Sequence, residues 1–301
     1  MRDERGFSLV ELLVAMLIML IISGAATSAL LKMTSTQATI WNRTQMHSGI
    51  RGATEVMQQE VGQAGRIALP AAVTLSGDVT TLNSSSTVAV SSVTGMFPNE
   101  YLTIDAGSKQ ETVQITAVGT SPAQITGVFT IPHSSGAAVA VFGAFQAGIV
   151  PPSATNGSTG TVLKLFGDIN GDGNMVYVEY TCDTAGGNLY RNSMAWNTAT
   201  KAAATASQIL LSNIIANPGG TACFTYQTST AFGVDFITNV AITLTVQTQQ
   251  IDPVTKTYQT ETKALLNVAP RNIVNAAALA FMGQLPLRVQ PTPAAITNLL
   301  P

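Results

Sequence analysis

Charge is scarce in this sequence: Asp, Glu, Lys and Arg make up 10% of its 301 residues, and the net charge is −2. No basic run of the kind that neutralises phosphate occurs, so nothing points to a nucleic-acid partner. Histidine occurs twice, and neither His47 nor His133 has a cysteine partner nearby in sequence. G-x-S-x-G, a P-loop and H-E-x-x-H are absent, which excludes those motif classes of enzyme. With no catalytic set, the reading is structural and non-enzymatic. Proline is missing from the first 69 residues, so nothing there interrupts a helix.

What the chain does have is a long apolar run. From Phe7 to Leu31 there are 25 residues without Lys, Arg, Asp or Pro. As a helix this is about 37 Å, enough to cross a hydrocarbon core of about 30 Å. It is too long for a signal-peptide core, and no turn chemistry ends it. A plain single-span anchor is the stronger rival. The run contains one charge, Glu11, a turn in from its polar end. A carboxylate in lipid costs several kcal/mol unless it snorkels, protonates or is paired, so it marks either the headgroup boundary or a function.

Both cysteines, Cys182 and Cys223, follow the run. If the run crosses a membrane, they reach an oxidising compartment. One disulfide is the economical reading; two buried thiols are the alternative. The bridge would close a loop of about 40 residues and stabilise by a few kcal/mol.

"RGFSLVELLVAM" (Arg5–Met16) resembles the N-terminus of type IV pilins and type II secretion pseudopilins. The resemblance implies a leader of residues 1–6, cleavage by a prepilin peptidase between Gly6 and Phe7, and N-methylation of Phe7. It makes Glu11 the assembly residue, neutralising the α-amino group of a neighbouring subunit. A buried charge is tolerable when paired with an opposite charge in low dielectric. The leader "MRDERG" departs from the pattern, with two acids against two arginines and hence a weak positive-inside signal.

The helix is expected to continue through residues 32–66 as a soluble amphipathic extension. Met46, Ile50, Ala53, Met57, Val61 and Ala64 recur at spacings of three and four, so one face is apolar and wants a sheet over it. Gly65 fits a C-cap and Pro70 cannot continue the helix. His47 reads as a surface or packing residue. "MQQEVGQAGR" (Met57–Arg66) is similar to the helix end of PilW-like minor pilins and J-type minor pseudopilins, where an acid and "QAG" close the helix.

Residues 73–145 change texture to short alternating runs separated by Gly, Pro, Asn and Ser, which predicts a small inserted β module of about five strands. "NEYLTIDAGSKQETVQI" and "HSSGAAV" resemble a β module of bacterial surface and phage-like proteins. His133 reads as a hydrogen-bonded turn residue. Residues 146–160 read as a Pro/Gly/Ser/Thr linker.

Residues 161–275 are expected to form the pilin sheet head. Strands are predicted at Val162–Phe166, Met175–Cys182, Asn188–Asn192, Ala222–Thr228, from Val234 onward and at Tyr258–Pro270. "VYVEY" with "GGNLYR", and "RN" at Arg271–Asn272, resemble the core hairpin and closing signature of the same minor pilins. Asp168, Asn170, Asp172, Gly173 and Glu179 fit the calcium-loop pattern D-x-[DN]-x-[DN]-G-x5-E, with Asn174 beside them. No helix flanks that loop, and Asp, Asn and Gly are also ordinary hairpin-turn residues. Calcium is the one cofactor the sequence suggests, with Asp168, Asn170 and Asp172 as its stronger ligands. Residues 276–301 hold four prolines from Gly283 on and read as a loosely ordered tail.

The fold expected is thus α+β: a long N-terminal helix, spanning over 7–31, packed on an antiparallel head with an inserted β module. The resemblance implies a minor prepilin that primes or caps a type IV pilus. Its partners would be the prepilin peptidase, other minor and major pilins and the inner-membrane assembly platform. The precursor would sit in the bacterial inner membrane with its head in the periplasm, then move to the cell surface. A minor pseudopilin of type II secretion, or a membrane-anchored surface adhesin with the β module as its binding element, are the alternatives.

Overall fold

A computed structural model describes residues 8–153, 155–231, 233–282 and 288–301. One helix dominates: α1, Leu9–Gln63, has 55 residues, a length of about 82 Å. Its two halves live differently. Every residue from Ser8 to Thr34 is exposed, and the first buried side chain is Asn42. Beyond it Met46, Ile50, Ala53, Thr54, Met57, Glu60 and Val61 face the core, the face that the three-and-four spacing predicts.

The chain then builds the inserted module. Strands β1 (Val73–Thr74), β2 (Ser85–Ala89), β3 (Tyr101–Ile104), β4 (Glu111–Thr120), β5 (Ala123–Val128) and β6 (Ala138–Val141) form one antiparallel sheet, ordered β1-β6-β3-β4-β5-β2. Its own core holds Leu75, Leu102, Ile104, Val113, Ile115, Ile125 and Phe129. His133 is buried against this sheet: Nε2 lies 2.8 Å from Glu111 Oε1 and Nδ1 lies 3.3 Å from Asp105 Oδ2. It ties the returning turn to β4, which is a structural use of the ring.

After the short β7 (Ala144–Phe145) come two further sheets. The first is β8 (Val162–Gly167), β9 (Val176–Asp183), β10 (Asn188–Ala195) and β11 (Ile209–Ser212), each beside the next. The second is centred on β14 (Val234–Gln247), which pairs with β12 (Ile214–Ile215), β13 (Phe224–Ala231) and β15 (Thr260–Val268). α1 lies across β11, β14 and β15. A Cys182–Cys223 disulfide, 41 residues apart in sequence, joins β9 to the start of β13 and so links the two sheets. The fold is α+β, a long apolar helix on an antiparallel head.

Two segments differ from expectation. Residues 146–160 are not a spacer: Ile149 is fully buried and bridges Leu165, and the Val150 N–H donates to Lys164 O at 2.9 Å. Apolar anchors within a Pro/Ser/Thr-rich stretch hold it along β8. Of the tail expected to be loose, residues 283–287 lie outside the described residues, and the rest packs. A helix α2 (Arg271–Phe281) crosses the expected boundary at residue 275, and β16 (Val289–Gln290) then runs parallel to β7. The short α3 (Ala294–Thr297) follows, with Ile296 and Leu299 fully buried beside Phe97, Phe145, Phe166 and Tyr177. Proline fixes the backbone but does not stop neighbouring apolar side chains from filling a core. The buried Gln290 amide completes the clasp: its Oε1 accepts from Tyr101 N–H at 2.9 Å and its Nε2 donates to Tyr101 O at 2.7 Å.

That clasp borders a buried acid. Glu100 has no exposed surface. Its Oε2 accepts from Phe97 N–H at 3.2 Å, and Oε1 has no hydrogen-bond partner. Burial pushes its carboxyl up to about 8 from the usual 4.5, against the pull of the Phe97 amide. The folded pKa lies above the unfolded one. Its contribution is therefore fully present below about pH 4.5, is lost as pH rises through about 8, and is flat above. The loss is on the order of a few kcal/mol. Glu100→Gln is expected to raise the melting temperature at pH 8.5 and leave it nearly unchanged at pH 4.5; parallel curves for the two chains would contradict the assignment.

Candidate functional site

The features that carry function divide between the two ends of α1. At its start, the Ser8 N–H donates to Glu11 Oε2 at 3.0 Å, and Leu12 N–H bonds to Ser8 O at 3.1 Å. A helix leaves its first N–H groups without partners and carries partial positive charge there, so an acid three residues in satisfies both needs. Gly6 and Phe7, the expected cleavage and methylation positions, lie outside the described residues.

Beyond Ser8 the surface around Glu11 is apolar. Leu9, Val10, Leu12, Leu13, Val14, Met16, Leu17, Ile18, Met19, Leu20, Ile21 and Ile22 are all exposed. α1 is long and apolar enough there to cross a membrane. Further along, hydroxyls turn inward on the helix itself: Thr27 donates to Ser23 O at 2.8 Å, and Thr36 to Lys32 O at 2.9 Å. Such back-bonding lets a polar residue lie in an apolar medium without an orphaned donor.

At the other end of α1, four separated sequence segments converge. Glu60, from "MQQEVGQAGR", is buried against the sheet. Arg191, the last residue of "GGNLYR", donates Nε to Glu60 Oε1 at 2.9 Å and to Oε2 at 3.2 Å. Tyr180, the last residue of "VYVEY", donates its hydroxyl to Glu60 Oε2. Burial and the Glu60 charge push the Tyr180 hydroxyl far up, so it stays a donor. Asn272, from "RN", donates Nδ2 to Gln63 O at 3.2 Å and reaches Ala64 O at 3.5 Å. It therefore caps the carbonyls that the end of α1 leaves over. Gly65 finishes the "QAG" with φ +78°, and a Cβ on Gly148 would lie 2.2 Å from Gly65 Cα. Only glycine allows both the left-handed turn and that approach.

The expected calcium ligands do not converge. Asp168 is fully buried, and its Oδ1 accepts from Asp172 N–H at 3.0 Å and Gly173 N–H at 3.2 Å. Arg66 Nε stands 3.3 Å from Asp168 Oδ2 without hydrogen-bond alignment. Asp172 accepts from Asn174 N–H at 2.8 Å, while Asn170 is exposed. Glu179 is on β9 and accepts from Tyr177 hydroxyl at 2.7 Å and Lys201 Nζ at 2.9 Å. Among the described residues no three His, Cys, Asp or Glu side chains are grouped to hold a metal. As arranged, the turn is held by its own amides and by an arginine rather than by a cation-sized cage.

A comparison with curated proteins finds no match to the chain. Over residues 1–27, however, the chain matches the family model of the prokaryotic N-terminal methylation motif, the stretch that contains Glu11 and the start of the apolar helix.

Proposed function

We propose that the chain is a prepilin, cut between Gly6 and Phe7, N-methylated at Phe7 and built into a filament through α1. The observation that carries this reading is the first half of that helix. It bears the methylation motif, exposes a predominantly apolar surface, and has Glu11 as the single charge between Arg5 and Lys32. Apolar surface on that scale is unfavourable in water at about 25 cal/mol per Å². Lipid covers it in the precursor, and other copies of such helices cover it in a filament.

Cleavage would free an α-amino group on Phe7. The Glu11 carboxylate of one subunit and this amine of the next then neutralise each other in a low-dielectric core, which fixes the register between them. The large head with its inserted module supports a minor, priming or tip role of the PilW-like kind rather than a repeated shaft subunit. The prepilin peptidase, other pilins and the inner-membrane assembly platform are the partners this requires. The head would face the periplasm in the precursor.

N-terminal mass spectrometry is the direct test. Made with a prepilin peptidase, the chain is expected to begin at methylated Phe7; made without it, at Met1. A mature chain that keeps its first six residues would end the proposal, and a plain membrane anchor would take its place.

A further inference from the structure

The foot of the head carries an apolar ring that neither the core nor the assembly reading uses. Five large side chains stand 47% to 71% exposed there: Ile40 and Trp41 on α1, and Ile251, Val254 and Tyr258 in the β14–β15 loop. The loop is built to hold them out. Asp252 is buried at its centre and accepts from Val254 N–H at 2.7 Å, Thr255 N–H at 2.9 Å and the Gln259 side-chain amide. Gln259 accepts in turn from Arg43 Nε. The loop is thus fixed to α1 at the level of Arg43.

Direction and height then narrow the partner. α1 turns about 100° per residue, so Trp41 lies nearly opposite Arg43, about 160° round. The exposed apolar groups flank the helix on two sides at one height. A single protein partner covers one side, whereas before assembly a flat medium pierced by the helix meets every side at one level. The height fits as well. Glu11 to Trp41 is a rise of about 45 Å, or about 42 Å along the normal at a tilt near 20°. A bilayer with both headgroup layers is about 40–45 Å thick. Trp and Tyr favour that boundary, and Arg43 and Lys256 supply cations for lipid phosphates there.

We propose that this ring is a membrane-interface seat. Trp41 on one side of α1, and Ile251, Val254 and Tyr258 on the other, rest in the headgroup layer that α1 crosses. They hold the head upright on the bilayer before assembly. The inference rests on α1 being a membrane span but adds a second, separate contact with lipid.

The test uses the full chain in vesicles of phosphatidylcholine and phosphatidylglycerol, with Trp196→Phe so that Trp41 reports alone. Trp41 emission is expected to be quenched several-fold more by a headgroup spin label than by one deep in the acyl chains. A second chain, with Trp41→Phe, Trp196→Phe and Val254→Trp, reports the opposite side and should behave alike. Should Trp196→Phe fail to fold, the difference between the native chain and Trp41→Phe gives the same signal. Quenching on one side only, or by aqueous iodide and neither lipid label, overturns the seat. Flotation separates the two readings: a chain that floats unquenched loses the seat alone, and a chain that does not float loses the span with it.

Discussion

Glu11→Ala is expected to leave cleavage and methylation intact and to abolish incorporation into filaments. The neighbour's α-amino charge would then be buried without a partner. Breaking one half of a buried ion pair costs roughly 3–5 kcal/mol, which is about two to four orders of magnitude in the equilibrium for joining. The structure adds a way to separate two roles. Glu11 also caps the helix through Ser8 N–H, and a glutamine at that position caps equally well. Glu11→Gln therefore keeps the cap and discards the charge. If it assembles like the native chain, the pairing role is lost and only the cap remains. If it fails as the alanine variant does, the charge is what assembly needs. Cleavage followed by mass spectrometry and filament content by shearing are the two readouts.

The second large effect concerns the far end of the same helix. Arg191→Ala is expected to lower the melting temperature of the solubilised chain by roughly 10 °C. Glu60 would be left buried with only the Tyr180 hydroxyl, and the cost of an uncompensated charge, again about 3–5 kcal/mol, converts at roughly 2–4 °C per kcal/mol for a head of this size. Arg191→Lys keeps the charge but loses the planar fork that bonds both carboxylate oxygens, so it should fall between the two. Exchanging the group for Glu60→Leu with Arg191→Met and Tyr180→Phe should recover much of the loss, because a well-packed apolar set avoids the desolvation penalty and leaves no hydroxyl without a partner. An Arg191→Ala chain within about 2 °C of native would show that the pair does not secure the helix to the sheet.

The sequence exposes some of this directly and hides the rest for physical reasons. The buried face of α1 is readable because Met46, Ile50, Ala53, Met57 and Val61 repeat at the helical period. The strands of the module are readable because their apolar residues alternate between turn residues. Glu60 and Arg191 were visible only as parts of two motif segments. Their bond joins residues 131 apart, and no local pattern carries that information. α2 did leave a signal: Ile273, Ala276 and Ala277 follow Pro270 at spacings of three and four, and all three are buried. Four prolines downstream drew the boundary to the wrong place. In the acidic turn, letter spacing puts Glu179 in the calcium pattern, while the strand-like alternation of residues 175–180 ranks it below Asp168, Asn170 and Asp172. On β9 it accepts from Tyr177 and Lys201.

The module leaves the helix and returns to it at one point. Arg66 bridges Ala144, and Phe145 N–H donates to Gly65 O at 2.8 Å, so the stretch between them begins and ends at touching residues. A segment with abutting ends can vary in length without separating the helix from the sheets that receive it. Further ties of the module to the head are the Gln290 clasp on Tyr101 and Phe97 in the core beside Phe145, so a graft between Arg66 and Ala144 would have to keep or replace those contacts.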